Sequence, residues 1–329
     1  MTQNRATHHD ALQTLTGGEV DQLAENWDVD RVIAVPNSGS VAIVTASDEA
    51  FAGMAGDLIE SLGAWQRFSY VIDIGLTSES RVRLSALGAT LLDGLRWDVP
   101  AAIQDRPYLR AMVLRPRLPD IVDAETIIWI DSDCWVQSPE VIPNLISASR
   151  EHPSLLLVCD CRDAEYAGSR TFLGWSRNRW IFAKIRRHLF GWRKAINMWT
   201  GPLISTGVIC GSRDAPAWEA WQRAADRVYR HRLNASSDVQ LLHMGEQEAL
   251  SSVLHRSNAY RLLPTESNWH CNLAGLKRGR SGVQSPVSGR RPSIVHLAAS
   301  RLHADRYRSD RLFYERPSSN VNDDWSNPA

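Results

Sequence analysis

Thr126-Ile-Ile-Trp-Ile130-Asp131-Ser132-Asp133 is a run of strand-favouring residues that ends abruptly on two acids. Continuous apolarity without alternation is the pattern of a strand buried on both faces, as in a parallel sheet covered by helices. Working outward, Val41-Ala-Ile-Val-Thr45 reads as a second buried strand, and Ser47 and Asp48 offer oxygens to cap a helix from about Phe51 to Leu62. Phe68 to Ile74 reads as a strand stopped by Gly75, Ser78 to Leu87 as a helix, Thr90 to Leu92 as a short strand and Tyr108 to Leu118 as a helix. Downstream the pattern predicts a helix over Pro143–Arg150 and strands over Ser154–Cys159 and Gly207–Cys210. Helices near Pro216–His231 and Glu246–His255 follow, with a last strand over Ser293–Leu297. Strands alternating with helices predict an α/β fold: a mostly parallel, Rossmann-like central sheet with flanking helices, binding ligands beyond the carboxyl ends of its strands.

The chain has 329 residues, ample for a continuous core, and 43% apolar with 22% charged residues reads as globular. Lys and Arg (37) balance Asp and Glu (37), which argues against a general nucleic-acid binder. The balance is a cancellation: residues 1–60 carry ten acids against two basic residues, whereas 170–194 carries eight Lys or Arg and lies in a span, 167–213, without any acid. The 13 Trp outnumber the 7 Tyr and the 6 Phe, and Trp175, Trp180, Trp192 and Trp199 fall in or beside the basic stretch. That stretch has three readings: a lid over a diphosphate, an acceptor platform of aromatic faces, or an amphipathic contact with anionic lipid. The long absence of acids favours the first two over a passive surface.

No signal-peptide core and no run of 18 apolar residues occurs, and the five cysteines are odd in number and dispersed. A reducing, cytoplasmic setting is expected, with at most peripheral contact at the inner face of the membrane through 170–194. Gly-x-Gly-x-x-Gly, a phosphate loop, Gly-x-Ser-x-Gly and His-Glu-x-x-His are all missing, which excludes the common dehydrogenase, P-loop, α/β-hydrolase and zinc-protease signatures.

Asp131 and Asp133, two apart at a strand end, point the same way if the chain stays extended, and can then share a divalent cation. They could equally cap the turn that follows. His296, late in the last strand, can complete a site begun by two carboxylates, or be an ordinary half-buried histidine. Glu246 and Glu248 fit either chemistry or a helix start whose dipole favours acids.

Along the chain come Ala46-Ser-Asp48, Asp73-Ile-Gly-Leu76, Arg106-Pro-Tyr-Leu-Arg110, Asp131-Ser-Asp133, Ile204-Ser-Thr-Gly-Val-Ile209, Glu246-Gln-Glu248 and Val295-His296. In this order residues 40–303 resemble the GT-A fold nucleotide-sugar glycosyltransferases, most of all glycosyltransferase family 8. The resemblance implies manganese, or magnesium, on Asp131, Asp133 and His296. It implies donor binding by Thr45, Ala46, Ser47 and Asp48 around uracil and ribose, by Arg110 at the sugar, and by Ser132, Ser205 and Thr206. Ser205 stands where the family usually has Asn, and Glu246-Gln-Glu248 stands for Asp-Gln-Asp. Gln247 would lie near the anomeric carbon, Glu246 near the sugar or acceptor hydroxyl, and Arg301 would replace the diphosphate lysine.

The expected organisation is an N-terminal extension over 1–38, a catalytic domain over 39–303 with an insertion at about 163–203, and a tail over 304–329. The expected activity is metal-dependent transfer of glucose or galactose from a UDP-sugar to a hydroxyl of a glycan, lipid-linked or small-molecule acceptor, with retention. Inversion would instead need Glu246 or Glu248 as general base. The competing expectation is a catalytically silent sugar-nucleotide or glycan-binding protein on the same fold.

Overall fold

The structure, a computed structural model, describes residues 41–104, 106–161, 172–234, 236–271, 273–279 and 282–298. The extension over 1–38, the tail over 304–329, Arg301 and the start of the expected insertion lie outside them.

Seven strands form the central sheet: β1 (Val41–Ser47), β2 (Ser69–Asp73), β3 (Thr90–Asp93), β4 (Thr126–Ile130), β6 (Leu156–Asp160), β7 (Ile204–Ser212) and β8 (Tyr260–Leu263). Their order is β3-β2-β1-β4-β7-β6-β8. β7 runs antiparallel to both neighbours, and every other pair is parallel. A small sheet, β5-β12-β9, pairs β5 (Cys134–Val136) with β12 (Ile294–His296) and β12 with β9 (Trp269–His270). β10 (Lys277–Gly279) and β11 (Gly282–Gln284) form a hairpin.

The helices are α1 (Ala52–Ser61), α2 (Ser78–Ala86), α3 (Pro107–Leu114), α4 (Val141–Glu151), α5 (Phe172–Phe190), α6 (Trp192–Asn197), α7 (Pro216–Arg227) and α8 (Val239–Ser257). Helix α2 starts where Thr77 accepts a hydrogen bond from the Ser80 N–H, 3.2 Å away. None of the described helices is long and apolar enough to cross a membrane.

Side chains alternate across a strand, so each central strand feeds two cores. Ala42, Val44, Ile127, Trp129, Leu156 and Val158 face a layer of α3, α7 and α8. Val41, Ile43, Ile128, Ile130, Leu157 and Cys159 face α4 and the end of α1. Burying each large apolar side chain contributes roughly 1.5–3 kcal/mol, and this sandwiching makes the strand signals in the sequence unbroken rather than alternating.

Two local departures matter to the site. The register of β6 against β7 slips between Val158 and Cys159, so Val158 faces Ile209 but Cys159 faces Ser205. Such an irregularity releases Thr206 and Gly207 from the β6 ladder. Helix α8 begins at Val239, with Asp238 accepting the Leu241 N–H at 3.1 Å, not near Glu246 as the sequence pattern suggested. Glu246 and Glu248 therefore sit about two turns into a helix, beyond the reach of its N-terminal dipole.

Candidate active site

Beyond the carboxyl ends of β1 and β4 opens a cavity of about 810 Å³. Ala46 and Asp48 line it, whereas Thr45 and Ser47, between and before them on β1, do not. Asp48 also accepts the Phe51 N–H at 3.2 Å, in the turn ahead of α1, so binding and turn-making coexist in one side chain. Phe51 itself lines the cavity.

At the end of β4 the chain turns at once: the Cys134 N–H donates to the Asp131 carbonyl at 3.0 Å, and the Asp131 N–H donates to the Gly207 carbonyl at 2.8 Å. The two acids therefore flank a turn, and the extended geometry on which their sharing an ion was argued does not hold there. Pairing of β12 with β5 sets His296 opposite Cys134, and pairing with β9 sets it beside His270. His296 Nε2 consequently lies 3.3 Å from Asp133 Oδ1 and 3.8 Å from Asp131 Oδ2. Its Nδ1 contacts Asn268 Oδ1 at 2.9 Å, which assigns Nδ1 as the donor and leaves Nε2 facing the carboxylates. A Cβ on Gly207 would meet His296 Nδ1 at 2.5 Å, so only glycine lets this ring approach β7.

Burial opposes the charge on Asp133, but His296 prevails and holds its carboxyl below the usual range. Burial likewise works against protonation of His296, and Asp133 with Asp131 overcomes it and raises the imidazole. At His270 burial, then His296, outweigh the pull of Asp133 and push the imidazole well down. Asp133, His296 and the Cys134 sulfur bring ligand atoms within 4.8 Å of one another. Cys134 is fully buried among apolar side chains, and burial drives its thiol well up, so it is a core residue and a poor ligand. Asp133 and His296, with Asp131 Oδ2 3.8 Å from the His296 Nε2, present carboxylate oxygen and imidazole nitrogen, donor types that suit a divalent ion.

Below the acids lies Arg115, its side chain 2% exposed. One of its terminal nitrogens donates to Asp131 Oδ1 at 2.5 Å, the other to Thr206 Oγ1 at 2.5 Å and Glu246 Oε2 at 3.0 Å. Its guanidinium stacks over Trp129, 4.8 Å from the ring centroid, while Trp129 Nε1 donates to Asp131 Oδ1 at 2.7 Å. With Oδ1 so occupied, Oδ2 of Asp131 is the oxygen turned toward His296.

On α8 successive residues diverge by about 100°. Gln247 lines the cavity; Glu246 is fully buried against Arg115; Glu248 is fully buried against Arg186 of α5, Nε to Oε2 2.5 Å. Ser132, Ser205 and Thr206 line the cavity. Ser205 accepts from Asn268 Nδ2 at 2.9 Å and contacts His270 Nε2 at 2.8 Å. Arg110 does not line it; its guanidinium reaches the Trp97 carbonyl at 3.5 Å.

Of the residues singled out in the sequence, Asp131, Asp133, His296, Ala46, Asp48, Ser132, Ser205, Thr206 and Gln247 come together around one cavity. Arg115, Asn268 and His270 were not among them. Arg115 carries a faint signal, a cation set in the apolar run Ala111-Met-Val-Leu-Arg115-Pro.

No family model matches the chain, and no curated protein matches it in sequence. Solved structures do. The apo structure of the bifunctional glycosyltransferase WbbM is similar with a TM-score of 0.51 at 15% identity, over 81% of this chain and 47% of that one. This chain thus spans about half of WbbM. The galactosyltransferase LgtC, in complex with donor and acceptor sugar analogues, gives a TM-score of 0.47 at 12% identity over 85% of this chain and 97% of its own. GlyE of Streptococcus pneumoniae TIGR4 gives 0.49 at 16% identity, over 88% and 62%. The fold is the GT-A type α/β architecture expected from the sequence, with a mainly parallel seven-stranded sheet and flanking helices.

Proposed function

We propose that this chain is a metal-dependent glycosyltransferase that moves a hexose, glucose or galactose, from a UDP-sugar to an acceptor hydroxyl with retention. The observation that carries the reading is that Asp131 and Asp133, just after β4, and His296 of β12 meet on one cavity that Arg115 and Gln247 also line. Asp131 Oδ2, Asp133 Oδ1 and His296 Nε2 would hold the cation. A divalent ion there supplies positive charge against the diphosphate and lowers the cost of its departure.

The protein's own groups have separable tasks. Asp48 offers carboxylate oxygen to ribose hydroxyls, and Phe51 offers an aromatic wall to the base. Arg115 fixes the orientation of Asp131 and brings buried positive charge beneath the leaving group. Glu246 acts through Arg115 as a positioning residue, since its carboxylate is fully buried. Gln247, with an amide able to donate and accept, faces the sugar.

Retention is favoured by the acids that reach the cavity. Among the described residues these are Asp48, Asp131 and Asp133, all on the donor side, while Glu246 and Glu248 are sequestered by Arg115 and Arg186. With those two glutamates sequestered, the acceptor hydroxyl attacks from the side of the leaving group; His243, which lines the cavity on the same helix as Gln247, is the base that an inverting route would use instead. In the retaining route the hydroxyl proton passes to the departing phosphate oxygen as the new C–O bond forms and the old one breaks. A screen of UDP-sugars for hydrolysis with and without Mn²⁺, followed by proton NMR of the released or transferred sugar, tests this reading. Metal-stimulated turnover with an α-configured product from an α-configured donor is expected; no turnover of any nucleotide sugar, or an inverted product, overturns it.

A further inference from the structure

Among the described residues eight large hydrophobic side chains are exposed, and four of them, Trp180, Ile181, Trp192 and Ile196, lie on α5 and α6. Trp180, Ile181, Lys184, Arg187 and His188 are all exposed on α5, and at 100° per residue they fall within one arc of about 120°. The opposite face of the helix, with Ala183, Ile185 and Leu189, is buried.

Cations and rings on this outer face are paired with each other. Lys184 sits 5.8 Å from the Trp180 centroid, and Arg187 sits 4.9 Å from that of Trp192, which ties α6 to the α5 face. Arg193 is exposed next to Trp192. No acid occurs from 167 to 213, and Glu248 is already taken by the buried Arg186. Lys184, Arg187 and Arg193 therefore have no acidic partner within 4.0 Å among the described residues.

We propose that the outer face of α5 and α6 docks on an anionic lipid bilayer. Exposed Trp rings with cations beside them suit the headgroup layer, where the ring body is apolar and its edge wet and phosphates supply the missing negative charge. A second copy of the chain is a poor occupant, because self-pairing of this face would set like charges against each other. An acidic protein would satisfy the charge but has no need of two exposed tryptophans. The inference is independent of the proposed chemistry, since it can be read without turnover.

The test is co-sedimentation of the full chain with vesicles of phosphatidylcholine alone or with about 30% phosphatidylglycerol, from low to high salt. Wild type is expected to bind the anionic vesicles at least about tenfold better than the neutral ones, and to be released by salt. The Lys184→Gln/Arg187→Gln/Arg193→Gln variant should lose about fivefold for each charge removed, and Trp180→Ser/Trp192→Ser should also weaken binding. UDP-sugar turnover in solution and circular dichroism should be unchanged in both. Quenching of wild-type Trp fluorescence by brominated lipid provides a readout that needs no variant. Absence of vesicle binding at low salt, equal binding by both variants, lack of quenching, or binding of an acidic polypeptide in place of vesicles overturns the proposal.

Discussion

Arg115 is a buried cation shared by two carboxylates, and its loss would leave the fully buried Glu246 without its countercharge. Arg115→Met is expected to destabilise the protein by roughly 3–5 kcal/mol. Adding Glu246→Gln should recover part of that loss, and denaturant unfolding of the four proteins in this cycle measures it. Strict additivity would mean that the pair is not coupled. Burial, opposed by Arg115, pushes the Glu246 carboxyl up to about 7 from an ordinary 4.5. Because the folded value is the higher, the stability that Glu246 contributes is full below about 4.5 and is lost as pH rises through about 7. The unfolding free energy of wild type minus that of Glu246→Gln should therefore fall with rising pH, by at most about 1.36 kcal/mol per pH unit; a rise would contradict the assigned burial. None of this was legible from residue 115 alone. An arginine between apolar neighbours reads as a surface charge until the chain brings Asp131, Thr206 and Glu246 around it, and the sequence pointed to the nearby Arg110 instead.

At the scale of elements, α8 is the member that sorts function. Its three residues Glu246, Gln247 and Glu248 face Arg115, the cavity and Arg186 in turn, and the last contact fastens α5 to the helix that lines the site. Arg186 also donates to the Met198 carbonyl at 2.6 Å, so one side chain joins α5, α8 and the end of α6. Arg186→Met should cost roughly 3–5 kcal/mol and raise hydrogen exchange along α5 before the rest of the chain. Glu248→Gln, which keeps the shape and removes the charge, should cost less than Arg186→Met. A thermal or denaturant midpoint unmoved by Arg186→Met would show that α5 is held by its apolar face alone. The strands were readable because the sandwiched sheet buries both faces and leaves uninterrupted apolar runs, as in β1 and β4. The start of α8 was not, because its first two turns mix Gln240, His243 and Gly245 with apolar residues and only the Asp238 cap marks the boundary. The slip between β6 and β7, which frees Thr206 and Gly207, leaves no trace in hydrophobic pattern.

Across the whole molecule, the candidate site is a product of topology: its residues run from Ala46 to His296, and only the β3-β2-β1-β4-β7 order and the β5-β12 pairing bring them to one cavity. The sequence carried the order of the motifs and the three metal-ligand candidates, but not the second layer of Arg115, Asn268 and His270, whose roles exist only through contacts. The formal charge of zero likewise hides a division of labour. Among the described residues of 170–194, Arg186 is neutralised inside while Lys184, Arg187 and Arg193 stay on the outside, so the basic stretch offers both a brace against α8 and an outward face. The central claim, that Asp131, Asp133 and His296 join a divalent ion to a nucleoside diphosphate, is tested most directly by calorimetric binding of UDP with and without Mn²⁺ to wild type and to Asp133→Ala. Binding in wild type that requires Mn²⁺ and weakens at least about tenfold in Asp133→Ala is the predicted result; UDP binding that is equally strong without metal, or unchanged in Asp133→Ala, would contradict it.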